Sequence, residues 1–292
     1  MSRVVVLGDV MVDVVARLGS PIARGSDAPA QISLGGGGSA ANVAAWLAAA
    51  GVSPTLVGRV GDDQRGREAR AALIAAGVDA QLTTDPRLPT GTCIVIVEPE
   101  GERTMLPDAG ANDALAAADL DGDLLAAAGH LHVAGYVLLR EGSRPAALSA
   151  VALARDHGMA VSVDPSSAAL LSPAFLGRAS GADLLLPNAE EARALTGEDD
   201  PELAARRLSE VFAEVVVKLG EAGARWTDGR SVRRSPAEPV QGVTDTTGAG
   251  DAFDAGLIAA RVHGAQPAEA LAAACRLAAR AVRTPGARPW AL

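Results

Sequence analysis

The sequence predicts an α/β protein with a mostly parallel central sheet, helices on both faces and a small β lid. Short apolar runs alternate with helical patterns along most of the 292 residues. Runs such as "VVVLG" and "EVVVKLG" are almost continuously apolar, as strands buried on both faces are. Helical patterns such as "SAANVAAWLAAAG" end at or near a glycine, which is a common helix stop. This alternation predicts parallel strands joined by helical crossovers.

The core elements follow one another in a regular order along the chain. The predicted strands are "VVVLG", "TLVGRVG", "HLHVAG", "AVSVD", "DLLLPN" and "EVVVKLG". The predicted helices include "SAANVAAWLAAAG", "DQRGREARAALIAAG", "RPAALSAVALARDHG" and "PELAARRLSEV". A further hairpin, "WTDGRSVRR", turns at Asp228-Gly229.

Two segments break this rhythm. Residues 14–34 and 90–107 alternate apolar with polar residues, and the second contains "EPEGER", a turn between two strands. Strands of this kind inserted into a parallel α/β pattern predict a small antiparallel lid beside the main sheet. We therefore expect a core made of residues 1–13, 35–89 and 108–292, with residues 14–34 and 90–107 as the lid.

Composition limits the kinds of partner. The formal charge of −9 argues against nucleic acid or an anionic membrane surface. The two cysteines, Cys93 and Cys275, are too few for a disulfide framework. The N-terminal apolar run meets Asp9 and Asp13, so it predicts a strand rather than a signal peptide. The longest uncharged run is broken by glycines and Pro54. A cytoplasmic protein without a membrane helix is the expectation.

Polar residues and turn-forming residues follow the predicted strands at their carboxyl ends. In doubly wound sheets, ligands bind at that edge, so these residues are expected to lie together. They are Asp9, Asp13, Asn42, Tyr136, Pro165, Asn188, Glu191, Lys218, Gly220, Gly223 and Asp251.

The stretch "DTTGAGDAFDAG", Asp245 to Gly256, carries the chemistry. Gly248 and Gly250 allow a tight turn and close approach to a ligand. Backbone N–H groups at the start of the following helix form an anion site. A carboxylate beside such a site, Asp251, can orient an acceptor hydroxyl and take its proton while the amides hold a phosphoryl group. We expect the helix dipole to keep the pKa of Asp251 low.

Two other nucleotide-binding classes are disfavoured. The chain has no G-x-x-x-x-G-K-[ST] motif, and its single lysine, Lys218, precedes Leu219-Gly220. The run "LGGGGSAAN" contains G-x-G-x-x-A, but it does not follow the first strand, as it does in a Rossmann oxidoreductase.

Four motifs in order resemble the ribokinase-like, phosphofructokinase-B-type family of carbohydrate and nucleoside kinases. The motifs are "GGSAANVAAWLAAAG" with "VGRVGDDQRG", then "NAEE", "VKLGEAG" and "DTTGAGDAFDAG". "AGAND" is similar to a stretch in ribokinases proper. The resemblance spans nearly the whole chain. It implies a three-layer α/β/α sandwich with a β lid, and an ATP- and Mg²⁺-dependent kinase.

The resemblance also implies a role for individual residues. Asp251 is the expected catalytic base, and Gly248, Ala249 and Gly250 form the anion hole. Asn188 and Glu191 organise Mg²⁺ through water, and Lys218, Gly220 and Gly223 border ATP. Asp13, Gly37, Gly38 and Asn42 bind substrate hydroxyls. Asp245, Thr247 and the loop at Gly286 lie where many members hold a monovalent cation such as K⁺. The lid often forms a dimer contact, so a homodimer is expected.

The identity of the acceptor stays open at this point. Ribokinases proper have a lysine where this chain has Ser39, and an asparagine where it has Met11, so ribose itself is in question. The leading hypothesis is transfer to a primary hydroxyl of a sugar or sugar acid, with Arg103 and Tyr136 as further candidates for substrate contact. A nucleoside kinase is the alternative, although three Trp, one Tyr and three Phe leave few rings for a nucleobase. A phosphorylated sugar is disfavoured because the glycine run lacks a basic residue, and a non-catalytic sensor because Asp251 is intact.

Overall fold

The computed structural model describes residues 3–22 and 25–289, so Ala23 and Arg24 of the predicted lid segment lie outside the described residues, as do residues 1–2 and 290–292 of the predicted core. The strands are β1 (Val4–Leu7), β2 (Met11–Leu18), β3 (Ala30–Gly37), β4 (Pro54–Gly61), β5 (Asp79–Asp85), β6 (Gly91–Val97), β7 (Arg103–Asp108), β8 (His130–Ala134), β9 (Ala160–Asp164), β10 (Leu184–Leu185), β11 (Glu214–Lys218), β12 (Ala224–Thr227) and β13 (Val232–Ser235). The α-helices are α1 (Ser39–Ala49), α2 (Gln64–Ala75), α3 (Gly122–Ala126), α4 (Tyr136–Leu139), α5 (Arg144–Asp156), α6 (Ala174–Ala179), α7 (Ala189–Thr196), α8 (Pro201–Leu208), α9 (Ala249–Val262) and α10 (Pro267–Ala281).

The central sheet confirms the predicted fold class. Its strand order is β13-β12-β11-β10-β9-β8-β1-β4-β5. Neighbouring strands from β11 through β5 run parallel, and β12 and β13 add an antiparallel edge. The carboxyl ends of β1, β8, β9, β10 and β11 therefore lie at one edge of the sheet, where α/β proteins bind ligands.

Strand β1 shows why both faces of the sheet are covered. Val4 and Val6 pack into a cluster with residues of α1, α2 and α9. Val5 and Leu7 point to the opposite face, into a cluster with residues of α5, α6, α7 and α8. Because successive side chains of a strand face opposite sides, a run of four apolar residues requires two apolar layers. The three-layer α/β/α sandwich satisfies that requirement.

The lid is a separate four-stranded sheet with the order β3-β2-β6-β7. Its outer pairs are antiparallel, as predicted, but β2 and β6 run parallel. The parallel pair arises because β2 and β6 are joined through the core rather than by a hairpin. The sheet also includes Met11–Asp13 and Gly35–Gly37, which flank the predicted segment 14–34.

The two faces of the lid differ in what they meet. Met11, Asp13, Cys93 and Met105 border a cleft between lid and core. The strand register places Leu34 opposite Val14, Val14 opposite Ile94, and Ile94 opposite Leu106, on the face that points away from the cleft. None of the helices within residues 3–22 and 25–289 has the length and apolar character needed to cross a membrane.

Candidate active site

A cleft of about 480 Å³ lies between the lid and the carboxyl ends of the central strands. It brings together most of the site residues that the sequence predicts. Those that line it are Asp13, Gly38, Asn42, Tyr136, Asn188, Glu191, Lys218, Gly220, Thr247, Gly248, Gly250 and Asp251. The other predicted residues, Gly37, Ala249, Arg103, Asp245, Gly223 and Gly286, lie outside its lining.

Helix α9 presents its N-terminus to the cleft. Gly248 is the N-cap residue, has a φ of 75° and cannot cap the helix with a side chain. A side chain at this position would also collide with the backbone of Ala287. The helix begins at Ala249, which places Asp251 in its first turn. The N–H groups of a first turn have no intrahelical acceptor, so this end of α9 can receive an anion. The Ala249 N–H points to the carbonyl oxygen of Thr246 at 3.3 Å, so Gly248 and Gly250 remain the better donors.

The Asp251 carboxylate is held by two residues of α1. Ser39 donates its hydroxyl to Oδ1 at 2.8 Å, and the Asn42 amide donates to Oδ2 at 2.8 Å. Burial nevertheless raises the pKa of Asp251 to about 7, against the effect of these two hydrogen bonds. The expectation of a low pKa was therefore wrong, because desolvation outweighs the helix dipole and both donors.

A buried arginine fixes the orientation of Asn42. Arg288 donates through Nε to Asn42 Oδ1 at 3.0 Å and through Nη2 to the carbonyl oxygen of Gly37 at 2.5 Å. With its oxygen occupied in this way, the Asn42 amide turns its NH₂ group toward Asp251. Sequence reasoning missed both Arg288 and the Ser39 contact. Ser39 was noticeable only as a departure from a lysine, and Arg288 lies 37 residues after Asp251 with no motif of its own.

Asp13 faces the cleft from strand β2 of the lid. Burial raises its pKa to about 6, while Arg288 opposes the shift. A side chain on Gly37 would collide with the Asp13 carboxylate, so glycine at position 37 leaves the room that Asp13 occupies. None of the described residues donates a hydrogen bond to the Asp13 carboxylate. Its oxygens are therefore available to accept from hydroxyl groups.

Lys218 lies at the end of β11 and contacts two carboxyl groups. Its Nζ lies 2.5 Å from Asp164 Oδ2 and 3.2 Å from Asp254 Oδ1. Burial alone would lower the pKa of Lys218, but Asp164 and Asp254 raise it above its usual range, so the lysine is charged. The same Nζ lies 3.8 Å from the position that a Cβ on Gly250 would take, which places a cation beside the N-terminus of α9.

Asp164 and Asp254 were not predicted as site residues. Asp164 is the last residue of "AVSVD", and its position at the carboxyl end of β9 was a usable signal. Asp254 was visible only as a second carboxylate in the glycine-rich stretch. It lies one turn after Asp251 on the fully buried side of α9, where burial raises its pKa.

Asn188 and Glu191 begin helix α7 as a reciprocal capping pair. The Glu191 N–H donates to Asn188 Oδ1 at 2.9 Å, and the Asn188 N–H donates to Glu191 Oε2 at 2.8 Å. Burial raises the pKa of Glu191 to about 7, with Asp164 adding to the shift. Residues 3–22 and 25–289 contain no group of three or more His, Cys, Asp or Glu that forms a metal cage. A pair of side chains such as Asn188 and Glu191 fits Mg²⁺, because this ion keeps much of its water and binds substrate phosphates.

Asp245 forms hydrogen bonds and ion pairs with several neighbouring donors. Its Oδ1 accepts from the Thr247 N–H at 2.9 Å and lies 2.8 Å from Arg103 Nη2. Its Oδ2 accepts from the Gly286 N–H at 3.2 Å and lies 3.5 Å from Arg17 Nη2. Both arginines belong to the lid. The charge of Asp245 is thus met by two lid arginines and by the N–H groups of Thr247 and Gly286.

The remaining predicted residues are placed as follows. Arg103 is held by Asp245 and donates to Thr246 Oγ1 at 2.9 Å, so its guanidinium is turned to the core loop. Tyr136 lines the cleft, and its hydroxyl donates to the carbonyl oxygen of Ser166 at 3.4 Å. Gly223 ends a short turn with a φ of 89°, and a side chain there would collide with Ser235.

Comparison with known proteins agrees with this geometry. A helix N-terminus, an adjacent buried carboxylate and a polar cleft are what a phosphotransferase acting on an alcohol needs. Residues 1–291 match the pfkB family of carbohydrate kinases, and the chain belongs to that family. It is 36% identical over 263 residues to an ATP-dependent ribose-1-phosphate kinase from Halopiger xanaduensis, covering 89% of this chain and 84% of the relative. A fructokinase from Klebsiella pneumoniae is 34% identical over 88% of this chain and 84% of its own length.

Solved structures show the same fold. The adenosine kinase from Sinorhizobium meliloti superposes with a TM-score of 0.92 at 26% identity, covering 99% of this chain and 96% of that one. A putative ribokinase II from E. coli, in complex with ATP and Mg²⁺, superposes with a TM-score of 0.87 at 26% identity, covering 98% and 94%. The predicted ribokinase-like fold is confirmed, and the chain is a phosphotransferase of the carbohydrate kinase class.

Proposed function

We propose that this protein transfers the γ-phosphate of ATP to a primary hydroxyl of a sugar or sugar acid, with Asp251 as the base. The observation that carries the proposal is a carboxylate with a pKa near neutrality, set in the first turn of a helix whose N–H groups face the same cleft. A base with such a pKa is well matched to proton removal near pH 7.

The proposed roles follow the geometry of the cleft. The amides of Gly248 and Gly250, with Ala249, hold the transferring phosphoryl group, and Asp251 orients the hydroxyl and accepts its proton. Lys218 places a positive charge beside the same amides, which favours the charge that develops on the phosphoryl oxygens. Asp13, Gly37, Gly38 and Asn42 are the proposed contacts of the acceptor, and Tyr136 borders it.

The other end of the cleft is the proposed site of the nucleotide. Lys218 and Gly220 line it there, with the Gly223 turn behind them, and Asn188 and Glu191 stand on the neighbouring strand end. Mg²⁺, when bound, neutralises phosphate charge during transfer. Asn188 and Glu191 are the residues that would hold it, through water, because their mutual capping bonds leave few oxygens for direct ligation.

A turnover assay with a mixed acceptor panel tests the proposal. ATP consumption is measured with neutral sugars, sugar acids, sugar phosphates and nucleosides, each with and without Mg²⁺. We expect Mg²⁺-dependent turnover with a sugar-type acceptor. Turnover restricted to nucleosides supports the alternative function, for which the fold of an adenosine kinase is a precedent. Saturable binding of ATP and sugar without any turnover identifies a non-catalytic sensor instead.

A homodimer through the lid is also proposed. The outer lid face exposes Ile32 (69%), Leu34 (70%), Ile94 (44%) and Leu106 (52%) side by side. An apolar sheet face of this kind marks an interaction surface, and a second copy offers a matching one. We expect a dimer in analytical ultracentrifugation, and a monomer for Leu34→Glu. A monomeric wild-type protein at the concentration of the activity assay removes the proposal.

A further inference from the structure

Arg140 lines the cleft at the end where the acceptor is proposed to bind. It directly follows helix α4, after strand β8, and β8 is the sheet neighbour of β1. Tyr136, which also lines the cleft, interacts electrostatically with both Asp9 and Arg140. The proposed nucleotide residues follow β10 and β11, two and three strands away in the sheet order. Arg140 is thus placed to meet the acceptor rather than ATP.

The Arg140 guanidinium has donors to spare. Its Nε lies 3.3 Å from Asp113 Oδ1, and its plane lies over the Tyr136 ring at 5.3 Å from the centroid. Nη1 is buried and has no hydrogen-bond partner among the described residues. Asp113 itself is 55% exposed, so water weakens its hold on the arginine. A buried donor without a hydrogen bond costs free energy, and a ligand that accepts a hydrogen bond from it removes that cost.

Other cations around the cleft are already engaged. Arg103 and Arg17 bind Asp245, and Arg288 binds Asn42 and Gly37. Lys218 lies between two carboxylates. Arg140 differs because its one ionic partner is exposed and its side chain makes no hydrogen bond to the described residues. A planar guanidinium with free donors matches the two oxygens of a phosphate or a carboxylate.

We propose that Arg140 binds an anionic substituent of the acceptor, so that the substrate is a sugar carrying a phosphate or carboxylate group away from the hydroxyl that is phosphorylated. The inference rests on the proposed kinase function and names its substrate class. Arg140 supplies the basic residue that the glycine-rich run lacks. Arg140 follows α4 at the carboxyl end of β8, whereas sequence reasoning looked for that residue in the glycine-rich run.

Matched acceptors test the inference and separate the two anions. One arm compares an aldose 1-phosphate that has a free primary hydroxyl with the free aldose, and the other compares a sugar acid with its neutral alditol. We expect one anionic member to have a higher kcat/KM than its neutral counterpart. Arg140→Met should raise the KM for that anion by about 10- to 100-fold, the effect of losing a hydrogen bond to a charged group, and Arg140→Lys should restore part of the loss. Arg155→Met, an exposed arginine of α5, is the matched control.

Asp113→Asn distinguishes a ligand role from a structural one. If Arg140 only ties α4 to the turn containing Asp113, both variants lose stability and neither changes the preference for an anion. If Arg140 binds the substrate, Asp113→Asn removes a competing carboxylate and lowers the KM for the anionic acceptor. Equal KM effects of Arg140→Met on anionic and neutral acceptors overturn the inference, as does a wild-type preference for the neutral members.

Calorimetric titration keeps the inference separate from the kinase assignment. If no acceptor supports ATP turnover, the proposed function fails, yet the anion can still be titrated into the protein alone. Saturable binding of the aldose 1-phosphate or the sugar acid that is weakened by Arg140→Met supports the inference on its own. Absence of saturable binding for both anions overturns it.

Discussion

The amide nitrogen of Asn42 lies 2.8 Å from Oδ2 of Asp251, and its orientation is set by Arg288, which occupies the amide oxygen. Burial favours the protonated form of Asp251, and the Asn42 hydrogen bond favours the charged form. Arg288 holds the Asn42 amide in the orientation that makes this bond. The balance of these effects raises the pKa of Asp251 to about 7. Asn42 of helix α1 thus lowers the pKa of a base that belongs to helix α9. The pKa of Asp251 can be tested with variants of either helix.

Asp251→Asn should abolish most of the turnover and stabilise the fold. The amide cannot accept a proton, so we expect kcat to fall by about 10²- to 10⁴-fold. In the wild type, the pKa of Asp251 is raised from about 4 in the unfolded chain to about 7 in the fold. The stability that this group contributes is complete below pH 4 and is lost as the pH rises through 7. At pH 8 the variant should therefore melt at a higher temperature.

The pH dependence of that stabilisation is the control. The difference in unfolding free energy should be at most about 4 kcal/mol at pH 8, from three pKa units at about 1.4 kcal/mol each, and should shrink toward pH 4. Near-wild-type turnover removes Asp251 from the mechanism. A destabilised variant at pH 8 would show that burial does not disfavour the charged form of Asp251.

Ser39→Ala should move the acid limb of the pH–rate profile. The hydroxyl stabilises the charged form of Asp251, so its loss raises the pKa of the base, by about 1 unit for a hydrogen bond of about 1.5 kcal/mol to a charged group. The limb of kcat/KM should shift to higher pH by that amount. Because Glu191 also has a pKa of about 7, the informative quantity is the shift between variants. Ser180→Ala, directly after α6 and outside the lining of the cleft, should leave the limb in place.

The fold and the main residues of the site were predicted from the sequence, but the pKa values and the contacts that orient these residues were not. Strand–helix alternation gave the sheet, and the glycine-rich stretch gave Asp251 and its helix. The pKa of Asp251 could not be predicted, because it depends on burial that exists only in the folded chain. Arg288 was missed since it stands in no recognisable motif, and Asp164 was missed although its place at the end of β9 could have indicated it. The parallel pairing of β2 with β6 follows from tertiary connections that local patterns do not encode.

Lys218→Met should destabilise the protein strongly. The lysine contacts both Asp164 and Asp254, and both carboxyl groups are buried. Removing one partner of a buried ionic group leaves uncompensated charge, which costs about 3–5 kcal/mol. Chemical denaturation should show this loss, and the double variant Lys218→Met/Asp254→Asn should recover part of it. If the single variant is as stable as the wild type, the two aspartates do not depend on the lysine for their charge balance.

The lid arginines should make the enzyme independent of K⁺. Arg103 reaches Asp245 from strand β7, and Asp245 fixes the Thr247 N–H just before the N-terminus of α9. Exchanging K⁺ for choline should leave the wild-type rate unchanged. Arg103→Met removes the charge-assisted contact between lid and core, so we expect the KM of the acceptor to rise by about tenfold and added K⁺ to restore part of the loss. Arg233→Met, on the exposed strand β13, is the control. A wild-type rate that requires K⁺ would mean that the cation, and not Arg103, balances Asp245 during turnover.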